Sequence, residues 1–420
     1  MHPFDASVLL TKLDFERLAG TDGEARARDI LVRELRDMGL EPAVEGFEVR
    51  SFEPGIATLQ VGGDQFDLVP HGLEGDRDLE GELAFLDNAE VLAFNRGAFR
   101  GKVVLAFGAS GKPHELASEA GVAAYLGVAG ANRSVSAASH RQKWFSDGRA
   151  VPTLTATYAD AERLAARSGE RVRISIRQAA GPRVAHNIVA TLGAPRRDEN
   201  LVYLTAHYDS VARSHGAADN AGGTVAALAV ARHFAEHPPA RELRLVLFSG
   251  EELGLRGSLA YVRVHDAEVH ERGRLCVNLD IAGDPLGNDC LFVVGTRELA
   301  GYAAGICRES GICPHESVDV WPSDGMPFAL QEVPSVNLAR TDGRGSFHIH
   351  TPGDVASNVT AGGLDHPVRA ARALLERVLG AEIFPLRREI DDSLREKIEK
   401  YFWNLTQEKP ELHWTERWRK

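Results

Sequence analysis

The chain has 420 residues, of which 44% are hydrophobic and 26% are charged, and this composition predicts a soluble globular protein large enough for two domains. Its 48 basic and 60 acidic side chains give a net charge of −12, which argues against a surface for nucleic acid or anionic lipid. No apolar run approaches the roughly 18 residues that a helix needs to cross a bilayer, so we expect no membrane partner.

The first residues, MHPFDASVLL, lack the basic start, apolar stretch and small-residue cleavage site of a signal peptide. We therefore expect a cytoplasmic protein, with a secreted or periplasmic one as the alternative if a leader has been removed. The four cysteines (Cys276, Cys290, Cys307, Cys313) are too few for a disulfide scaffold and form no CxxC pair. Free thiols are expected, with a disulfide between Cys307 and Cys313 as the alternative for an exported protein.

Two helices are predicted before the first strands, at residues 5–18 and 24–38. Thr21 and Glu24 suit a capping box at the start of the second helix, and Gly39 suits its end. We expect this pair to cover a sheet that forms later in the chain.

Residues 53–178 differ in character, because short apolar strands are cut there by glycine and proline. This pattern predicts an inserted β-rich domain. His114 and His140 stand alone in it, without acidic residues at ligand spacing, and are expected to be solvent-exposed. The insert therefore predicts no second active site.

From residue 185 onwards, strand-like and helix-like segments alternate. Strands are predicted at 185–193, 200–207, 243–250, 274–283, 290–296 and near 334–340, with helices at 221–237, 253–265, near 297–310 and at 364–380. This alternation predicts an α/β fold with a mixed, mostly parallel, doubly wound sheet between layers of helices. We expect one discontinuous domain made of residues 1–52 and 179–385.

Residues 386–420 are charged and then aromatic, and they contain Trp403, Trp414 and Trp418. We predict a helical, aromatic C-terminal arm that packs on its own domain. A homodimer contact and a wall of a substrate cleft are the alternatives.

The pattern HYDS (207–210) follows a predicted strand, and its His207 and Asp209 are two residues apart, so their side chains share a face. His207 can bind a metal through one ring nitrogen while Asp209 accepts the proton on the other. The pattern alone is weak, because a hydrogen-bonded structural histidine gives the same spacing.

Two acidic motifs come next. Asp219 precedes a glycine-rich helix start and would alone be read as a helix N-cap, but the glycines let backbone approach a crowded site. Glu251 and Glu252 follow a buried strand and point in different directions. One of them can bind a metal while the other holds a water over it, although a solvated turn is the simpler account of the pair in isolation.

Asp280 lies within the predicted strand VNLDIA (277–282), where a carboxylate without a partner is costly, so a bound cation explains it best. His350 opens the motif HTPGD (350–354). His348, two residues earlier, is the competing histidine.

Taken together, these residues support a site for two zinc ions better than each does alone. Imidazole and carboxylate groups suit zinc, and the candidate ligands are His207, Asp219, Glu252, Asp280 and His350. Three carboxylates leave two zinc ions with one positive charge, which a bridging hydroxide neutralises. One carboxylate must then bridge two ions that lie about 3.5–4 Å apart. Glu251 remains free of metal as the general base that passes the water's proton to the leaving amine.

The ordered motifs HYDS, GAADN, EELGLRGS, NLD and HTPGD resemble those of the two-zinc exopeptidases of peptidase clan MH, which include bacterial leucyl aminopeptidases, aminopeptidase Y and glutamate carboxypeptidase. The resemblance covers roughly residues 180–380 and the N-terminal helices, and it implies the zinc exopeptidase fold. It further implies that His207 and Asp280 join one zinc and Glu252 and His350 the other, with Asp219 bridging.

The same resemblance implies Glu251 as the general base, Asp209 as the residue that orients His207, and a cis peptide between Asp219 and Asn220. The insert resembles a protease-associated domain, which in such enzymes often limits access to the cleft. One departure is the run SDGMPF (323–328), where relatives usually have a polar residue after the Ser-Asp pair. That departure bears on the substrate pocket, and the metal ligands are unaffected.

The sequence therefore predicts a zinc-dependent aminopeptidase whose partners are peptide substrates. A glutamate-type carboxypeptidase is the first alternative. It would need several arginines to bind substrate carboxylates, and the loops offer only scattered candidates such as Arg213, Arg340 and Arg344. Glutaminyl cyclase shares the fold but uses one zinc, which the five-ligand set disfavours. A binding protein that has lost catalysis is the alternative from another class, and the intact ligand set argues against it.

Overall fold

The computed structural model describes residues 5–72, 75–108, 111–131, 135, 147–194 and 198–406. Its strands are β1 (Ala43–Phe52), β2 (Ile56–Val61), β3 (Asp64–Pro70), β4 (Arg77–Leu86), β5 (Val103–Phe107), β6 (Ala124–Val128), β7 (Thr153–Ala156), β8 (Arg171–Arg177), β9 (Ala180–Leu192), β10 (Leu201–His207), β11 (Glu242–Phe248), β12 (Gly273–Leu279), β13 (Asn288–Val294), β14 (His315–Val318) and β15 (Ser335–Thr341).

The helices connect these strands. They are α1 (Ala6–Lys12), α2 (Asp22–Asp37), α3 (Val91–Phe94), α4 (Arg96–Phe99), α5 (Lys112–Ala120), α6 (Tyr158–Ala165), α7 (Gly222–Glu236), α8 (Arg256–Val264), α9 (Asp266–Arg272), α10 (Arg297–Glu309), α11 (Met326–Ala329), α12 (Arg344–Phe347), α13 (Ala361–Gly380) and α14 (Asp392–Thr406). Within the described ranges, no helix is both long and apolar enough to cross a membrane.

The main sheet has eight strands in the order β1-β9-β11-β10-β12-β15-β13-β14. Its centre, from β11 through β10 and β12 to β15, is parallel, whereas β1, β9 and β13 join antiparallel neighbours. The predicted fold class, a mixed and doubly wound α/β sheet, is confirmed.

Helices cover both faces of this sheet because alternate side chains of each strand point to opposite faces. On β10, Val202 and Leu204 pack with α1, α2, α7, α10 and α13, whereas Leu201 and Tyr203 pack with α8, α9 and α11. The central strands are therefore buried on both sides, which leaves their ends as the place where polar groups can meet.

The carboxyl ends of the parallel strands meet at one edge. β10 ends at His207, directly beside Phe248 at the end of β11. β12 ends at Leu279, so Asp280 lies just beyond this strand, and the expectation that it lies inside the strand was wrong. The Asp280 N–H still donates to the Leu338 carbonyl at 3.3 Å, and the backbone then changes direction at Ile281, which has a φ of 61°.

Two helix boundaries also differ from the prediction. Helix α1 ends at Lys12 instead of continuing to residue 18, because the buried Arg17 turns inward to bind backbone carbonyls far along the chain. The predicted helix at 253–265 is followed by a separate helix, α9.

A closed barrel is formed by β2-β3-β7-β6-β5-β4-β8, and it lies in sequence between β1 and β9. These two strands pair with each other, and Phe52 faces Ala180 where the barrel begins and ends. The exact domain division and the likeness of this barrel to a protease-associated domain stay predictions.

His114 of the barrel is fully buried, and its Nε2 accepts the Val151 N–H at 3.1 Å. The expectation of a solvent-exposed residue was therefore wrong, because a neutral imidazole can satisfy a buried backbone donor. His140 lies outside the described residues.

The described part of the C-terminal arm is α14, whose Leu394, Ile398 and Phe402 are buried against Leu255 and Met326 of the same chain. Trp414 and Trp418 lie outside the described residues. All four cysteines are free in the structure, so the alternative of a disulfide between Cys307 and Cys313 is not supported.

Candidate metal centre

The five predicted ligand residues come together at the carboxyl edge of the sheet in two groups of three. His207, Asp219 and Asp280 form the first group, and Asp219, Glu252 and His350 form the second. Among the described residues, these are the groups of His, Cys, Asp and Glu whose ligand atoms converge closely enough to hold an ion.

Asp219 belongs to both groups and directs a different oxygen to each. Its Oδ1 lies 3.2 Å from His207 Nε2, and its Oδ2 lies 3.1 Å from His350 Nε2. Asp280 Oδ1 is 3.3 Å from His207 Nε2, and Glu252 Oε2 is 3.2 Å from His350 Nε2.

These separations fit zinc. Zinc–ligand bonds of about 2.0–2.1 Å at tetrahedral angles place neighbouring ligand atoms about 3.3 Å apart. Each group supplies one imidazole nitrogen and two carboxylate oxygens, which is a donor set that zinc accepts. A carboxylate with one oxygen in each group has the arrangement that a bridging ligand requires.

The position of Asp219 is fixed by the wide turn Ala217–Ala221 and by Asp354. The two carboxylate oxygens of Asp354 accept the backbone N–H groups of Ala218, at 2.7 Å, and of Asp219, at 3.1 Å. The peptide between Asp219 and Asn220 is cis, as the resemblance implied. Asp354 had been quoted within HTPGD without a role, and the structure places it behind the shared carboxylate.

Asp209 contacts both His207 and the backbone of the Glu251–Glu252 pair. It is fully buried, and one of its oxygens is 3.5 Å from His207 Nδ1, the ring nitrogen that faces away from Asp219. Its oxygens also accept the N–H groups of Glu251, at 3.2 Å, and Glu252, at 3.4 Å. One carboxylate therefore connects the strand end that carries His207 with the turn that carries the glutamate pair.

Glu251 belongs to neither ligand group. Burial raises its pKa well above the ordinary value, and the neighbouring carboxylates of Glu252, Asp324 and Asp280 raise it further, against the opposing effect of His207. A carboxylate held in this way is a stronger base than an exposed glutamate, which suits proton transfer.

The same carboxylates also raise the pKa values of the two histidine ligands. The pKa of His350 is raised to about 12, first by Glu252 and against the effect of burial. Burial alone would lower the pKa of His207, but Asp280, Asp209 and Asp219 outweigh it and raise the value well above the usual range. The carboxylates at this edge thus create a strongly negative environment that favours cations.

The competing histidine, His348, is in neither group, and its ring lies against Gly353. His350 adopts the left-handed backbone conformation, with φ of 60°, and its side chain is 49% exposed. The centre therefore opens to solvent on the His350 side, whereas His207 and Asp280 are buried.

Two supporting residues were not predicted. The Ser323 hydroxyl donates to Asp280 Oδ2 at 2.5 Å, and the Arg17 guanidinium donates to the carbonyls of Tyr208 and Gly216. Ser323 had been noted only as part of the departure at 323–328. The sequence around Arg17 offers no comparable signal, since Tyr208 and Gly216 lie 191 and 199 residues further along the chain.

The three arginines considered for substrate carboxylates all have partners within the chain. Arg340 binds Asp289 and the Asp284 carbonyl, Arg344 binds the Ser357 carbonyl, and Arg213 binds the Gly55 carbonyl. None of the three is presented to the metal centre by these contacts.

The family model described as Peptidase family M28 matches residues 187–375, which include all five ligand residues. Aminopeptidase YwaD of Bacillus subtilis (strain 168) is 27% identical over 287 residues, covering 67% of this chain and 62% of YwaD. Probable leucine aminopeptidase 2 of Arthroderma benhamiae is 30% identical over 275 residues, covering 57% of this chain and 55% of that protein. The matches thus span less than two thirds of the length of these curated relatives.

Solved structures resemble the whole fold. BSAP, a zinc aminopeptidase from Bacillus subtilis, superimposes with a TM-score of 0.75 at 22% identity, over 94% of this chain and 100% of BSAP. The aminopeptidase from Aneurinibacillus sp. strain AM-1 gives a TM-score of 0.69 at 22% identity, over 91% of this chain and 96% of that one. At this identity the two structures bear on the fold alone.

Proposed function

We propose that this chain, whose residues 187–375 match the model of Peptidase family M28, is a two-zinc aminopeptidase that removes N-terminal residues from peptides. The observation that carries the proposal is the pair of ligand groups that share Asp219, with the uncoordinated Glu251 beside them. The names of the aminopeptidase relatives support the reaction, and the zinc aminopeptidase fold supports the metal.

In this proposal His207 and Asp280 would hold one zinc ion, Glu252 and His350 would hold the other, and Asp219, which belongs to both groups, would serve both ions. When bound, the zinc ions lower the pKa of the attacking water and stabilise the charge that develops on the substrate carbonyl. Ser323, by donating to the second oxygen of Asp280, keeps the first oxygen directed at the centre.

Glu251 takes the proton of the attacking water and delivers it to the leaving amine. Its raised pKa favours the first half of this transfer, because the carboxylate accepts a proton more readily than an exposed glutamate does. Asp209 holds the Glu251 backbone and faces His207 Nδ1, so it positions the base and one metal ligand together.

An aminopeptidase is favoured over a glutamate-type carboxypeptidase by the arginines. A carboxypeptidase would need an arginine directed into the metal centre to bind the substrate carboxylate. Arg213, Arg340 and Arg344 all donate to groups of their own chain. The partners proposed are peptides, and a homodimer through the C-terminal arm stays a prediction, since α14 packs on its own chain.

The test is the variant Glu251→Gln, with Glu48→Gln on β1 as a matched control at an exposed position. We expect Glu251→Gln to lower kcat for leucyl anilide by about 10³-fold, a loss within the usual range for a general base, while two zinc ions per chain remain bound by metal analysis. The control should behave as the wild type.

Near-wild-type turnover by Glu251→Gln would show that the base is misassigned. A stable and fully active preparation with one zinc per chain would contradict the bridging role of Asp219. Rates on N-blocked peptides and on peptides with a C-terminal glutamate, measured beside the anilides, separate an aminopeptidase from a carboxypeptidase.

A further inference from the structure

The C-terminal helix α14 packs over the turn that carries the glutamate pair. Leu394, Ile398 and Phe402 recur at helical spacing and are buried against Leu255 and Met326. Near the end of the helix, Leu405 lies so close to Gly254 that a Cβ there would be 3.2 Å from the Leu405 Cδ1. The helix thus rests directly on the residues that follow Glu251 and Glu252.

Tyr401 lies one helical turn before Leu405 and therefore shares its face of α14. Its ring packs with the same cluster of Leu255 and Met326. The centroids of the Tyr401 and Phe402 rings are 5.3 Å apart, in an edge-to-face arrangement. The side chain is only partly buried. Packing therefore fixes the ring beside the Glu251 turn.

The surroundings of the Tyr401 hydroxyl are those of the metal centre. Burial raises the pKa of this phenol, and the charges that raise it further are those of Glu251, Asp324 and Asp280. In the part of the chain that the structure describes, the hydroxyl has no hydrogen-bond partner, in contrast to the buried Tyr208, which binds Glu24. A neutral phenol beside the reaction centre, with its proton uncommitted, is a donor for a ligand.

We propose that Tyr401 is a substrate-binding catalytic residue whose hydroxyl donates a hydrogen bond to the carbonyl oxygen of the scissile peptide. The α-amino group is a less suitable partner, because the neighbouring carboxylates would bind an ammonium group more strongly than a phenol does. This inference rests on the proposed aminopeptidase function and makes α14 one wall of the cleft.

A donor to this oxygen gains strength as negative charge develops there. Removing one such donor typically lowers kcat by about 10²–10³-fold, with little effect on ground-state binding. The prediction is therefore a change in kcat without a matching change in KM.

The test is Tyr401→Phe, which removes the hydroxyl and keeps the ring. Tyr302→Phe on α10 is the matched control for loss of a phenol, and Leu405→Ala perturbs the packing of α14 without touching the hydroxyl. We expect Tyr401→Phe to lower kcat for leucyl anilide by about 10²-fold. KM, zinc content and melting temperature should match the wild type.

A second readout does not depend on turnover. The affinity of a leucine phosphonic acid, measured by calorimetry, should fall in Tyr401→Phe, because this analogue carries the oxyanion, whereas the affinity of free leucine should hold. Unchanged kcat and unchanged phosphonate affinity would overturn the inference while the active wild type upholds the proposed function. A loss of kcat that follows a loss of zinc or of stability would equally overturn it, and an inactive wild type would overturn both proposals.

Discussion

Arg17 shows how a single residue far from the chemistry can hold the metal centre in place. It is fully buried, and its guanidinium donates to Tyr208 O at 2.6 Å and to Gly216 O at 2.9 Å. These carbonyls lie at the two ends of the loop between His207 and Asp219. Burial lowers the pKa of Arg17 to about 10, so the side chain keeps its charge at neutral pH.

We predict that Arg17→Met destabilises the protein by about 3 kcal/mol or more, because several buried carbonyls lose their donor at once. Zinc affinity should fall with it, since the loop between the ligands is no longer fixed. Urea unfolding and competition with a zinc chelator measure the two effects. Arg171→Met, at an exposed position on the barrel, should change stability by less than about 0.5 kcal/mol. An Arg17→Met protein as stable as the wild type would show that the loop between His207 and Asp219 keeps its conformation without Arg17.

At the residue level, the sequence indicated the groups whose chemistry is unusual for their setting. Asp280 was recognisable because a carboxylate in an apolar segment is costly without a cation, and the other ligands were recognisable from their ordered motifs taken together. Arg17 and Ser323 were not recognisable, since their roles depend on partners brought together only by the fold. His114 was misjudged for the same reason, because its partner is the backbone of Val151 across the barrel.

At the level of elements, helix α2 is joined to the end of β10 through Glu24. This residue is almost fully buried, and its carboxylate accepts hydrogen bonds from the Tyr208 hydroxyl and from the His186 N–H. Burial raises its pKa to about 7, although these hydrogen bonds and Arg28 oppose the shift. The folded protein therefore holds the Glu24 proton more tightly than the unfolded chain does.

This shift predicts a pH dependence of stability. As pH rises from about 5 to about 7, the unfolded chain loses the Glu24 proton while the folded protein keeps it, so folding becomes less favourable by about 2–3 kcal/mol. Above pH 7 the effect is constant. Between pH 5 and pH 8, the free energy of unfolding of Glu24→Gln, measured in urea, should therefore increase relative to that of the wild type. The free energy of unfolding of Glu48→Gln should change with pH as that of the wild type does. An equal difference at both pH values would contradict the prediction.

The elements themselves were predictable where their patterns are long and regular. The alternation of apolar strands and helices after residue 185 indicated the doubly wound sheet, because strands buried on both faces are continuously apolar. The end of α1 and the separate helix α9 were missed, since tertiary hydrogen bonds decide boundaries that local propensity leaves open. The antiparallel pairing of β1 with β9 depends on contacts across the whole insert.

At the scale of the whole molecule, the barrel joins the main sheet at one place. β1 and β9 are antiparallel partners over ten residue pairs, and Phe52 and Ala180 face each other at their ends. Phe52, together with the barrel residue Val69, also packs on Leu253 and Ala212, which lie in the two loops that carry metal ligands. The barrel is thus anchored beside the cleft without interrupting the sheet.

We therefore predict that residues 53–179 can be replaced by an Asn-Gly turn, because two strands with facing ends are joined by such a two-residue hairpin. The shortened protein should fold, keep its zinc and hydrolyse leucyl anilide within about tenfold of the wild-type rate, because only the packing around Phe52 and Leu253 is lost.

If the barrel limits access to the cleft, long peptides should become better substrates for the shortened protein relative to the anilide. Circular dichroism, metal analysis and the ratio of the two rates provide the measurements. An insoluble or zinc-free product would mean that the barrel and the sheet form one folding unit, and an unchanged ratio would mean that the barrel does not restrict entry.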